Sequence, residues 1–502
     1  MKEMEKCIKK LLAYGVRKNL VKQEDVIYVR NRLLDALGKD DYTDIALEKD
    51  DDVVELQELL DDIKKIMIKE GKLQDTQDAR EKMDARLMDC LTPPPSAVIE
   101  RFQKDYAQDP RLATDHYYEF SKDTNYICRS AVKKDKKWSS DTIYGSLDIT
   151  INLSKPEKDP KDIAKAKLLP PSIYPRCLLC KENEGYAGHL NHPARNQHRI
   201  IPITLDDQTY YMQYSPYSYY NEHCILLNEK HIPMSINRHT FQSLFDFVDY
   251  LPHYFIGSNA DLPIVGGSIL THDHFQGGNY HFAMEKASVK QWKKSQKFAG
   301  ISYGILHWMV STIRAQSSDK KKLIDFACHV LNVWKTYSDE KLSILASSGE
   351  VRHNTITPIV RKHGELYEID LVLRNNRCDE NNPDGIFHPH KHLHHIKKEN
   401  IGLIEVMGLA ILPSRLLKEM ELLKKSWMNN EPLDASILKH EDWFHMLKKK
   451  YPDVSKINVD EIIKKEIGYV FLEVLEDAGV FKQTASGQDG FEKFLNTVEE
   501  TL

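Results

Sequence analysis

Apolar residues recur at three- and four-residue spacings over residues 3–38, through Ile8, Leu11, Leu12, Val16, Leu20, Val26, Val29, Leu33, Leu34 and Leu37, with charges between them. That period predicts amphipathic helix. The same pattern covers 52–70, through Val53, Val54, Leu56, Leu59, Leu60, Ile63 and Ile66. Pro93-Pro94-Pro95 followed by Ser96 stops one element and can start the next helix. From Asp141 to Leu153 the period shortens to two, through Ile143, Gly145, Leu147, Ile149, Ile151 and Leu153, which predicts a strand.

A Pro- and Lys-rich connector over 155–175 leads into a different texture. Arg199–Leu205, Tyr210–Tyr214, His223–Leu227 and Gly304–Thr312 are short, rich in β-branched and aromatic residues, and bounded by Pro, Asn or Gly. They predict strands. Helical periods interrupt them at 238–251 and 319–337 and resume over 400–450 and 458–478. The expected fold class is therefore α+β. Its parts are a mostly helical region over 1–170, an α+β region over 171–400, and a helical region over 401–502 packed on the α+β one.

Composition narrows the function. A chain of 502 residues can bury more than one core. Charged residues make up 29% of it, yet the formal net charge is only -5, which excludes a global field for gripping nucleic acid or an anionic membrane. The runs Lys133–Lys137 and Lys448–Lys450 read as solvated faces. No apolar run is long enough to span a bilayer, and charges at Lys2, Glu3, Glu5, Lys6, Lys9 and Lys10 argue against a secretory leader. Eight mostly isolated cysteines make no disulfide framework. A cytoplasmic protein is expected.

The chemistry centres on Gly266-Gly267-Ser268-Ile269-Leu270-Thr271-His272-Asp273-His274-Phe275-Gln276-Gly277-Gly278. If this is a strand, His272, His274 and Gln276 share a face. A neutral imidazole can attack phosphorus, and an amide N–H can donate to the developing oxyanion. The glycines let a phosphorylated ligand approach the backbone. Cys177-x-x-Cys180 supplies two thiolates at a spacing suited to a tetrahedral metal, with His231 and His272 as the further candidates. A redox pair or two core thiols are the alternatives.

A second cluster, His388-Pro389-His390-Lys391-His392-Leu393-His394-His395, can hold another metal, neutralise substrate phosphate, or form an exposed polar loop. Downstream, lysines beside a glycine-bearing turn can contact phosphate. Glu405, alone in an apolar run, either accepts from sugar hydroxyls or starts a helix. Tyr217, in the aromatic stretch 210–220, belongs to a core or stacks on a base.

Together these residues resemble the galactose-1-phosphate uridylyltransferase family, in its type 2 branch found in Gram-positive bacteria. The resemblance covers most of the chain. It is densest in CLLCKENEGYAG (177–188), Asn221–Pro233, Gly266–Gly278 and Arg352–Arg415, the last containing RHNTITPIVRK, YEIDLVLRNNR, PDGIFHPH and HHIKKENIGLIEVMGLAILPSR. It implies two related histidine-triad-like α+β halves, each with an antiparallel sheet flanked by helices. It also implies exchange of uridylyl between UDP-glucose and galactose 1-phosphate, without an organic cofactor.

By the same resemblance His274 is the nucleophile and Gln276 bonds the transferred phosphoryl group. Lys398 and Glu405 fall near the family's hexose-phosphate contacts; Gly267, Ser268, Asn259 and Tyr217 are further candidate substrate contacts. Cys177, Cys180, His231 and His272 hold a structural zinc, and His388 and His390 help to hold a second metal. The chain departs from the type 1 pattern in reading His272-Asp273-His274 where that branch has His-Pro-His, and no glutamine follows Glu405 where that branch has one. Another histidine-triad nucleotide hydrolase or phosphorylase, or a non-catalytic nucleotide binder, is the alternative. The N-terminal helices either pack on the catalytic region or join two copies as a homodimer.

Overall fold

The computed structural model describes residues 2–46, 55–154, 173–189, 191–267 and 269–501. The predicted connector over 155–175 lies mostly outside them, as does Ser268. The N-terminal period resolves into helices Lys2–Arg17 and Val26–Leu37, which pack with Leu56–Lys69 and Gln77–Leu91 around Ile8, Leu11, Leu33, Leu60, Ile63 and Leu87. These four helices keep a core of their own. The next two, Pro95–Tyr106 and Pro110–Asp123, each begin with proline at the first helical position, where a missing N–H costs nothing. They turn Val98, Phe102 and Tyr117 onto the main sheet.

The strands in chain order are β1 (Lys136–Thr142), β2 (Gly145–Ile151), β3 (Ile201–Leu205), β4 (Gln208–Tyr214), β5 (Cys224–Asn228), β6 (Phe255–Gly257), β7 (His274–Gly278), β8 (Lys293–Lys294), β9 (Ser302–Ile305), β10 (Thr312–Ser317), β11 (Ser347–Ser348), β12 (Val351–Arg352), β13 (Asn354–His363), β14 (Leu366–Asn375) and β15 (Leu409–Leu412). Ten of them make one sheet in the order β3-β4-β5-β7-β6-β13-β14-β10-β9-β8. All its pairings are antiparallel.

That order contains a repeat. Each half runs three strands, one helix, then two strands that insert with the last beside the third. The helices are α1 (Arg238–Tyr250) in the first half and α2 (Lys320–Thr336) in the second. The halves meet where β6 pairs with β13, Gly257 opposite Ile359, so the two expected sheets are one continuous sheet. Gly257 permits the join: a Cβ there would lie 2.8 Å from the Pro358 carbonyl oxygen and from a Leu403 methyl.

The two faces are covered differently. Phe275, Ile256, Val360, Ile369 and Leu371 pack under α1 and α2 with Phe241, Leu244, Phe326 and Val330. Phe255, Ile359 and Val372 face the C-terminal region, against Leu403, Val406 and Met407.

Two expectations are corrected. The apolar run after Ile401 was expected to be helical, but only Leu403–Val406 makes a short turn of helix. Gly408 takes φ +100, and the chain continues as β15. β15 pairs in parallel with β2, which joins the hairpin near residue 150 to the C-terminal region in a separate three-stranded sheet. Gly304–Thr312 is not one strand either. It spans the end of β9, a turn, and the start of β10.

Candidate active site

β7 is paired on both sides, by β5 and β6, so its backbone is fixed along its length. His274 and Gln276 alternate with Phe275 and share the face turned away from α1 and α2. His274 is 6% exposed, and burial lowers its pKa, keeping the ring neutral. Its Nδ1 lies 2.8 Å from the backbone oxygen of His272. A carbonyl only accepts, so Nδ1 carries the proton and Nε2 keeps a free lone pair.

The second half of the sheet carries nothing comparable. Gln276 stands opposite Gly257, and in the repeat Asp370 stands opposite Ile359, so Glu368 and Asp370 occupy the strand positions of His274 and Gln276. Both are buried, held by Arg314 at 2.7 Å and by Arg361 at 2.6 and 2.7 Å. One copy of the repeat presents a neutral imidazole; the other is filled by an ion-pair network.

Gln276 has a partner that sequence reasoning missed. The Nε2 of His223 lies 3.0 Å from its Oε1. Burial, against the Gln276 hydrogen bond, pushes the pKa of His223 down to about 4, so the ring is neutral. With Nε2–H donating to the amide oxygen, the NH2 end of Gln276 is turned away from His223. A lone histidine before a strand carries no local signal of this role. Beyond it, Tyr219 stacks on His223 at 5.5 Å and Tyr217 stacks on Tyr219 at 6.0 Å. Tyr217 is half-buried at the outer end of this row.

The Cys-x-x-Cys is brought to the base of β7. Cys177, Cys180, His231 and His272 place their ligand atoms within 4.8 Å of one another. The Sγ atoms are 3.6 Å apart, Cys177 Sγ is 3.3 Å from His272 Nδ1, and Cys180 Sγ is 3.1 Å from His231 Nδ1. Thiolates at about 2.3 Å and imidazoles at about 2.0 Å from one tetrahedral ion give edges of this size. His272 donates from Nε2 to the Asn228 carbonyl at 2.8 Å, leaving Nδ1 as the ligand atom. Asn183 ties the thiol-bearing turn by donating to the Cys177 and Cys180 carbonyls at 2.9 and 2.7 Å. The donor set and its spacing fit a tetrahedral metal. They do not read as a redox pair, because two imidazoles complete the cluster.

Gly267 and Asn259 come together: a Cβ on Gly267 would lie 2.7 Å from Asn259 Nδ2. Asn259 Oδ1 accepts from the Leu403 N–H at 2.9 Å, which links this strand end to Glu405. Glu405 accepts from Gly402 N–H at 3.2 Å and pairs with the buried Lys397 at 3.0 Å. Lys398 is exposed, so the lysine beside this carboxylate is its neighbour Lys397. His388 and His390 are not brought together. His388 Nε2 faces Asn400 at 3.3 Å, while His390 Nδ1 pairs with Asp477 at 2.9 Å. Among the described residues the metal-ligand grouping is that of Cys177, Cys180, His231 and His272.

No described helix is long and apolar enough to cross a membrane. The sequence matches the families described as galactose-1-phosphate uridyl transferase, N-terminal domain, over residues 19–233, and C-terminal domain, over 247–445. It is 51% identical over 493 residues to the galactose-1-phosphate uridylyltransferase of Clostridium acetobutylicum, covering 97% of this chain and 99% of that one. To the enzyme of the same name from Bacillus subtilis it is 47% identical over 499 residues, covering 97% and 96%. The crystal structure of yeast Ap4A phosphorylase superposes with a TM-score of 0.33 at 11% identity, over 64% of this chain and 89% of that one. Both halves of the chain match one family and full-length relatives share about half its residues: the chain belongs to the galactose-1-phosphate uridyl transferase family.

Proposed function

We propose that this chain transfers uridylyl from UDP-glucose to galactose 1-phosphate, giving UDP-galactose and glucose 1-phosphate, by way of a uridylyl-histidine on His274. The observation that carries the reading is the hydrogen bond from His274 Nδ1 to the His272 carbonyl, which leaves Nε2 as a neutral nucleophile. The family and the full-length relatives of that name support the substrate pair.

Nε2 of His274 attacks the α-phosphorus of UDP-glucose. The N–P bond forms as the bond from α-phosphorus to the bridging oxygen breaks, and glucose 1-phosphate leaves with that electron pair. A phosphate leaving group needs no strong acid. The NH2 end of Gln276 donates to the phosphoryl oxygens as charge develops on them. A phosphate oxygen of galactose 1-phosphate then attacks from the side the leaving group vacated, and the N–P electrons return to Nε2. Two inversions give net retention at phosphorus and ping-pong kinetics. Water must be kept from the adduct, because it would otherwise hydrolyse the N–P bond.

The nucleotide lies along the row Tyr217–Tyr219–His223, and the hexose phosphate lies toward Gly267, Asn259, Lys398 and Glu405. Zinc at Cys177, Cys180, His231 and His272 would hold the strand end that presents His274. The enzyme works in the cytoplasm. Incubation with UDP-glucose alone, followed by mass spectrometry, tests the reading: one uridylyl group should appear, on His274. Adding galactose 1-phosphate, inorganic phosphate or water in turn separates a transferase from a phosphorylase and a hydrolase.

A further inference from the structure

Tyr210 lies on β4, buried on the helix-covered face of the sheet and so on the side opposite His274. It touches both chain neighbours of that histidine. Its ring stacks on Phe275, with centroids 5.2 Å apart and planes 25° apart. Its hydroxyl donates to Asp273 Oδ2 at 2.6 Å. The same hydroxyl meets His239 Nε2 at 3.0 Å, and His239 Nδ1 lies 2.5 Å from Asp206. The clamp is therefore anchored in α1 and in the turn after β3.

Asp273 needs that clamp. It sits between the carbonyl of His272, which accepts the His274 proton, and His274 itself. Its own N–H donates to the Ile232 carbonyl at 2.7 Å and its carbonyl accepts from Asn228 N–H at 3.0 Å. Among the described residues its carboxylate has one other side-chain partner, the Asn228 amide at 3.4 Å. Without the tyrosine hydroxyl a buried carboxylate would keep a single long hydrogen bond, and the segment 272–274 would shift to find water or another donor.

We infer that Tyr210 is a positioning residue for His274, acting through Asp273 on the backbone segment that sets the tautomer and aim of the imidazole. The inference rests on the proposed role of His274 as nucleophile. It differs from a packing role, because a phenylalanine would fill the same volume and keep the stacking on Phe275. Reacting groups must be aimed within fractions of an ångström, and a misplacement of about 1 Å costs about 10²-fold in rate.

The test uses full-length, metal-loaded protein and measures the single-turnover rate of uridylyl uptake from saturating UDP-glucose. Tyr210→Phe should lower that rate by about ten-fold or more, with metal content and the UDP-glucose KM unchanged. Asp273→Asn keeps an oxygen for the hydroxyl, so it should react about ten-fold faster than Asp273→Ala. Uptake by Tyr210→Phe at the wild-type rate, or equal rates for Asp273→Asn and Asp273→Ala, overturns the inference; the second comparison decides it should Tyr210→Phe not fold. Wild-type protein that takes no uridylyl on His274 would instead overturn the parent reading, so the two failures are told apart.

Discussion

The backbone oxygen of His272 accepts the Nδ1 proton of His274 at 2.8 Å, while the Nδ1 of His272 faces Cys177 Sγ at 3.3 Å. One residue thus joins the metal-ligand cluster through its side chain and sets the tautomer of its neighbour through its main chain.

Replacing His274 with alanine should abolish both half-reactions, lowering kcat by roughly 10⁴-fold or more. Intact mass spectrometry after UDP-glucose should show no adduct, while circular dichroism stays native. An adduct that persists on another residue would reassign the nucleophile.

Replacing Cys177 with serine removes one of the four candidate ligands. Burial pushes the Cys177 thiol up to about 12, so a metal bound there must displace its proton. The expected result is a drop from about one metal per chain to none, a midpoint lowered by several degrees, and slower turnover because His272 loses its tether. Elemental analysis and thermal unfolding check it. A native protein that is fully active without metal would refute the proposed zinc.

Much of this was legible locally. The helices at 238–251 and 319–337 announced themselves because the core lies along one stripe, and Cys177, Cys180, His231 and His272 did so because metal chemistry restricts residue type. What was hidden depends on partners far away in the chain. The segment at Leu409 looked helical from its apolar run, yet it is a strand because β2, some 260 residues earlier, offers an edge. His223 carried no signal because its partner Gln276 is 53 residues on. The two related halves came from the family resemblance and not from the local periods, because strand order is what the halves share. Lys397 and Lys398 are adjacent, and only the turn geometry decides which one meets Glu405.

His223→Phe removes the donor that faces Gln276 Oε1 but keeps a ring against Tyr219. The amide is then free to flip, and its NH2 end faces the phosphoryl group only part of the time. kcat should fall by roughly ten-fold with the UDP-glucose KM little changed. His223→Asn, which can still donate, should recover part of the loss. Steady-state kinetics of the two variants decide it; equal kcat values for Phe and Asn would remove the positioning role.

Acid stability follows from histidines that burial keeps neutral. His395 has a pKa pushed down to about 3 by burial, by His440, whose Nδ1 is 2.8 Å away, and by Arg415 and Lys439. Glu419 accepts from the far side of His440 at 3.0 Å, from Arg415 at 2.7 Å and from Lys439 at 2.6 Å, so its charge is already shared. In the unfolded chain His395 returns to its ordinary value of 6.5. Above pH 6.5 both states are neutral and the site costs nothing. Between 6.5 and 3 the unfolded chain binds a proton that the folded chain refuses, so stability falls as pH falls, by up to about 1.4 kcal/mol per pH unit. Urea unfolding at pH 7.5, 6.5, 5.5 and 4.5 reads the slope. His395→Gln should have a shallower slope over that window, and because it keeps the metal ligands, metal loss cancels in the comparison. Parallel curves for wild type and His395→Gln would show that this ring charges freely in the folded state.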